Sequence, residues 1–216
     1  MRFVDRVDAG QQLAARLADL RGTPNLLVLG IPRGGVVVAY AVALALHAAL
    51  DVALSRKLGA PHNEELAIGA LAEDGSRTLD ERLIDYLGVP RNYIDRVTQQ
   101  AQHELERRAA LYRGQRRPLA VRDRVALVVD DGVATGATIC AALQSLRTQK
   151  AKSLIAAAPV MAGESIPRLE QLADRIVHVL APGFFDSVGG FYENFKQVSD
   201  SEVRELLADL AEARSG

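Results

Sequence analysis

An apolar run that ends in two adjacent acids and a turn of small residues, Val125 to Thr138 (VALVVDDGVATGAT), constrains this chain more than any other stretch. Val125 to Val129 show no alternation of polar and apolar residues, so they read as a strand buried on both faces, the kind found in parallel sheets. Asp130 and Asp131 close the strand. A turn follows over Gly132 to Thr138, and a helical pattern runs from Ile139 to Arg147. Strand, tight loop and helix together aim backbone N–H groups and the hydroxyls of Thr135 and Thr138 at one place beside a helix N-terminus, where an anion is favoured. The alternative is a plain β-turn-α connection in which the two Asp solvate a strand end. The loop has neither the lysine of a Walker sequence nor the spacing of a dinucleotide fingerprint.

Such a strand needs a core around it, and composition supplies one. About half the residues are apolar, 49%, and 26 Lys and Arg nearly cancel 27 Asp and Glu. A chain of 216 residues with that balance predicts a single soluble globular domain, with no charged tail and no nucleic-acid footprint. The single cysteine, Cys140, excludes an internal disulfide and fits a reducing cytoplasm. Met1 to Gly10 carries four charges and no apolar centre, unlike a secretory signal. Gly34 to Leu50 is nearly free of charge, but it is Ala-rich, short for a span and flanked by strand patterns. It reads as a buried crossover helix, and no membrane partner is expected.

Along the chain, Asp8 can cap a first helix reaching Leu20, and Leu26 to Leu29 is a short apolar strand. Gly30 to Gly35 (GIPRGG) is a second glycine turn between a strand and a helix, with Arg33 available for a bidentate anion contact. Asp51 to Ser55 predicts another strand. The cations Arg56 and Lys57 then open a polar loop through Glu65, and Leu66 to Leu71 is a third strand candidate. From Thr78 the pattern turns helical: a capping box starts a short helix ended by Gly88, and Pro90 opens a long one to about Arg113. On that helix Arg96, Glu104, Arg107 and Arg108 read as a solvated face. Residues 76–118 are therefore an expected helical hairpin inserted into the domain. Strands at Ser153 to Pro159 and Arg175 to Leu180, with a helix between them, restore the alternation, and a last helix runs to Ala213. The fold class this predicts is α/β: a doubly wound, mostly parallel sheet of about five strands with helices on both faces. Ligands bind beyond the carboxyl ends of such strands. Gly30, Arg56 and Asp130 all fall there.

Asp130-Asp131 followed by Ala134, Thr135, Gly136, Ala137 and Thr138 resembles, position by position, the signature of the type I phosphoribosyltransferases, which bind phosphoribosyl pyrophosphate (PRPP). Arg33, Gly34 and Gly35 look like the family's pyrophosphate loop. Arg56 and Lys57 resemble the basic residues at the base of its flexible lid, although a solvated basic pair is the alternative. Five of the chain's ten aromatics gather in residues 181–200. There Phe184, Phe185 and Val188 resemble the base-binding hood of the hypoxanthine-guanine branch, or else form an aromatic cluster anchoring the C-terminus. The resemblance implies Mg-PRPP, transfer of a phosphoribosyl group to a nitrogenous base with release of pyrophosphate, and a homodimer. Mg2+ would be held mainly through PRPP, with Asp130 and Asp131 as the protein's own candidate ligands. A PRPP or nucleotide sensor that keeps the binding loop without turnover is the other reading. No catalytic triad or zinc spacing competes, because His47, His62, His103 and His178 are scattered.

Overall fold

The structure is a computed structural model that describes residues 2–213. Its main sheet has five strands, β1 (Leu26–Gly30), β2 (Ala49–Val52), β6 (Val125–Val129), β7 (Ser153–Val160) and β8 (Arg175–Leu180), in the order β2-β1-β6-β7-β8. Every pairing in it is parallel. Both faces are covered, and the strand residues divide between them. Val28, Leu127, Val129 and Ile155 join a core built with α1 (Arg6–Arg16), α2 (Gly34–Leu46) and α7 (Asp200–Ala213). Leu27, Leu29, Val128 and Leu154 face a second core under α5 (Ala137–Thr148) and α6 (Ile166–Glu170). A strand buried on both sides has no need of polar positions, which is why these runs are continuous in the sequence.

Three strands leave this sheet. β3 (Ser55–Ala60), β4 (Asn63–Ala72) and β5 (Arg77–Leu79) form a separate antiparallel sheet against α5 and α4 (Arg91–Arg113). This corrects two expectations. Residues 56–65 are a paired hairpin rather than an open mobile loop, and the Leu66 to Leu71 run lies in the small sheet rather than the main one. The hairpin turns at Pro61-His62, with His62 in the left-handed region at φ 62°. Tyr93 of α4 donates from its hydroxyl to the Gly59 carbonyl at 3.1 Å and so fixes one end of it. The expected insertion contains α3 (Glu81–Leu87) and α4, and it also supplies β5.

Local capping differs at the N-terminus. Asp5, not Asp8, caps α1, accepting from the N–H groups of Val7 and Asp8, while Asp8 reaches back to the N–H of Val4 at 2.9 Å. The two acids form a reciprocal box, so the helix starts at Arg6, three residues earlier than the Asp8 cap predicts. Among the described residues, no helix is long and apolar enough to cross a membrane.

Candidate functional site

The loops after β1 and β6 meet at the carboxyl edge of the sheet because the two strands are neighbours in full register, Gly30 opposite Val129. Ile31 donates to the Val129 carbonyl at 2.9 Å, carrying the pairing one residue past the strands. The loop Arg33 to Gly35 thereby lies directly on the acid pair. A methyl group at Gly35 would sit 2.8 Å from Asp130 Cα, and one at Gly34 would sit 1.9 Å from Asp131 Oδ2. Only a chain without Cβ atoms can approach this closely. The Pro32–Arg33 peptide is cis.

The two carboxyl groups stand in different surroundings. Asp130 accepts the Asp131 N–H at 2.9 Å, but burial and the adjacent Asp131 carboxylate push its carboxyl well above the usual range. Asp131 is paired with a cation, accepting from Arg6 Nε at 2.7 Å, and its backbone carbonyl accepts from the Tyr192 hydroxyl. Burial, and then the Asp131 charge, hold Tyr192 strongly in its protonated, donating form. Neither Arg6 nor Tyr192 stands out in the sequence as a partner of the acids, since they lie 125 and 61 residues away from Asp131.

Gly136 precedes α5 with φ 75°, a left-handed conformation that turns the chain from the loop into the helix. Ala134, Thr135 and Thr138 around it are exposed. Thr135, Ala137 and Thr138 line a cleft of about 570 Å³ that also takes in Arg56, Lys57 and Glu64 of the hairpin. Its far wall is α4, through Tyr93, Gln100 and Arg108. Arg108 is therefore part of the cleft and not the plain solvated residue that its helical position suggests. Arg107 and Arg108 both bond Glu104, at 2.8 and 2.7 Å, and hold its carboxyl down to about 2.

Two groups of expected site residues lie elsewhere. Arg33 turns toward α7, 3.9 Å from Asp200, which also accepts from the Tyr112 hydroxyl at 2.8 Å. Burial and then that bond push Tyr112 up to about 12. In the hood, Val188 packs where a methyl group on Gly132 would stand, 2.4 Å from its Cγ1, and so touches the acid loop. Phe185 packs on Phe191 at 5.2 Å between ring centres, while Phe184 is 83% exposed.

The phosphoribosyl transferase domain family matches residues 5–192. The chain belongs to that family. Over 98% of its length it is 44% identical to a Mycobacterium tuberculosis protein described provisionally as a phosphoribosyl transferase, and it spans about half, 48%, of that relative. The crystal structure of TT1426 from Thermus thermophilus superposes with a TM-score of 0.90 at 40% identity, covering 97% of this chain and 99% of that one. The match reaches from the N-cap of α1 to Tyr192, so the main sheet and both site loops lie inside the phosphoribosyl transferase domain.

Proposed function

We propose that the chain binds Mg-PRPP and transfers its phosphoribosyl group to a nitrogenous base, releasing pyrophosphate. The observation that carries this reading is the contact of Gly34-Gly35 with Asp130-Asp131 at the edge of the sheet, beside the N-terminus of α5. In the reaction the bond from the anomeric carbon to a pyrophosphate oxygen breaks and a bond to the base nitrogen forms. The state between them is oxocarbenium-like, so catalysis is a matter of orienting the sugar and stabilising departing charge. Thr135 to Thr138, with the first N–H groups of α5, take the 5′-phosphate. Asp130 and Asp131 take the ribose hydroxyls. Arg56 and Lys57, which line the cleft, receive the pyrophosphate, and Arg33 joins them by turning away from Asp200; the β3–β4 hairpin and α4 form the other walls of the cleft.

Among the described residues, no group of three or more acids, histidines or cysteines forms a closed metal site. Mg2+ is bound typically by one or two carboxylates plus substrate phosphates, and the acid pair beside a phosphate loop fits that donor set. Asp130 and Asp131 would hold it, and it would supply neutralisation of pyrophosphate charge. For the base, Phe184 offers an exposed ring for stacking and Val188 stands against the acid loop. Phe185 already shares its ring with Phe191, which supports an anchoring role beside any contact with the base. We read residues 1–216 as one domain carrying an insertion at 76–118 and a hood at 181–200, functioning as a cytoplasmic homodimer.

The test is pyrophosphate release from Mg-PRPP across a panel of purines, pyrimidines and related amines. Activity on one acceptor class is the expected result, and Asp130→Asn with Asp131→Asn should lower it by at least about 10²- to 10³-fold. PRPP binding without release under any acceptor would make the chain a sensor of PRPP or nucleotide rather than an enzyme. Unchanged binding and turnover in the double variant would sink the site assignment.

A further inference from the structure

Arg6 is a guanidinium that the proposed chemistry leaves without a task. Its side chain is only 10% exposed, and a cation buried to that degree is costly unless it is paired. Its partners come from three other parts of the chain. Nε donates to Asp131 Oδ2 at 2.7 Å and Nη1 donates to the Lys196 carbonyl at 2.8 Å. The guanidinium carbon lies 3.9 Å from the centre of the Phe195 ring, which in turn packs on Tyr192 at 4.9 Å. A methyl group on Gly34 would come within 2.6 Å of Nε. The first turn of α1, the glycine loop, the acid loop and the hood thus meet on one side chain.

A buried ion pair is a weak device for stability alone, because apolar residues of similar volume commonly serve as well or better. This pair has its acid in the loop after β6 and its cation at the start of α1, where Arg6 meets the site at the Asp131 carboxylate and against Gly34. The hydrogen bond takes one named oxygen of the carboxylate and so restrains where that oxygen points. The Phe195 ring lies against the guanidinium, at a distance where a cation and a ring attract.

We propose that Arg6 is a positioning residue for the acid pair: clamped between Asp131 and the Phe195 ring, it aims the Asp131 carboxylate at the sugar and makes seating of the hood a condition for tight sugar binding. The inference rests on the PRPP reading above. It separates the two halves of the ligand. The phosphate half, Thr135 to Thr138, does not touch Arg6, whereas the sugar half depends on it.

Calorimetric titration of the full chain with Mg-PRPP, ribose 5-phosphate and inorganic phosphate tests this. Arg6→Gln should weaken the first two about 10- to 100-fold, the range for a hydrogen bond to a charged group, and leave inorganic phosphate unchanged. Arg6→Lys should recover part of the loss. Phe195→Leu keeps both charges and removes the clamp, and it should weaken the sugar ligands by a smaller factor; it serves also if Arg6→Gln does not fold. In the double variant Arg6→Gln with Asp131→Asn, sugar binding should be no weaker than in Asp131→Asn alone, because the two act as one unit. Equal weakening of all three ligands, full additivity, or wild-type affinity for Mg-PRPP in both Arg6→Gln and Phe195→Leu would overturn the proposal while the PRPP reading stands. A wild-type chain that binds no Mg-PRPP would overturn that reading, and the role of Arg6 with it.

Discussion

Gly34 shows how narrow the tolerance of this site is. Its missing Cβ is the space that Asp131 Oδ2 and Arg6 Nε occupy, so Gly34→Ala forces either the acid or its cation to move. We expect Gly34→Ala to fold, because the methyl meets side chains at the edge of the sheet rather than the packed core. Its affinity for Mg-PRPP should fall about 10-fold or more, as for loss of one charged hydrogen bond. Gly163→Ala, whose methyl would meet nothing within 4 Å, is the control, and titration calorimetry on both reads the difference. Equal affinities would mean that the acid pair is less constrained than its contacts suggest. At this scale the sequence was informative about residue type and silent about partners. Asp130, Asp131 and the two threonines could be singled out because their chemistry and spacing are local. Arg6 and Tyr192 could not, since nothing local distinguishes a helix-start arginine that meets a carboxylate from one that meets water.

Among the elements, α4 follows its sequence reading in extent, Arg91–Arg113, but not in everything it does. The amphipathic pattern from Ile94 to Tyr112 correctly marks a buried face, but the last residue of the helix has a second task. Arg113 is 7% exposed and donates to Asp51 of β2 at 2.6 Å, to Glu73 just after β4 and to the Val52 carbonyl at 3.1 Å. Asp51 in turn accepts the Leu119 N–H at 2.9 Å. This cluster ties the inserted helix to both sheets. Arg113→Met would leave the buried Asp51 carboxylate and the part-buried Glu73 without their cation, a loss of about 3–5 kcal/mol, and urea unfolding should show it as a lower midpoint. Adding Asp51→Asn should restore part of the stability. The hairpin β3–β4 makes the same point in another way. Arg56-Lys57 followed by glycine, proline and polar residues carries turn signals, and those signals mark the turn at Pro61-His62 correctly; the strands on either side form because they can pair with each other and pack on α4 and α5.

For the whole molecule, the consequence of these placements is the cleft. It lies between the loop 135–138 at the edge of the main sheet, a basic hairpin of the small sheet and α4. Arg108 adds a cation to it that the α4 sequence reads as surface. Arg108→Ala should weaken Mg-PRPP binding by about two- to fivefold, the range for a part-exposed charge, and the effect should shrink as salt is raised. Arg107→Ala removes a neighbouring cation that does not line the cleft and should leave affinity unchanged. Identical effects of the two variants in a binding titration would show that net charge, rather than the geometry of the cleft, is what counts.

The main sheet was legible in the sequence because a strand buried on both faces announces itself by a run of consecutive apolar residues. The acid pair and the loop of small residues in Val125 to Thr138 are likewise short-range features of the sequence. What only the tertiary structure decided are the contacts between residues far apart in the chain: Arg6 and Tyr192 on Asp131, Arg33 turned to Asp200, Arg108 across from Thr138, and the pairing of residues 55–60 with 63–72. Side-chain direction and burial at those positions depend on which elements pack together. That choice belongs to the core as a whole, where apolar area is buried on both sides of the sheet, and no single stretch of the chain encodes it.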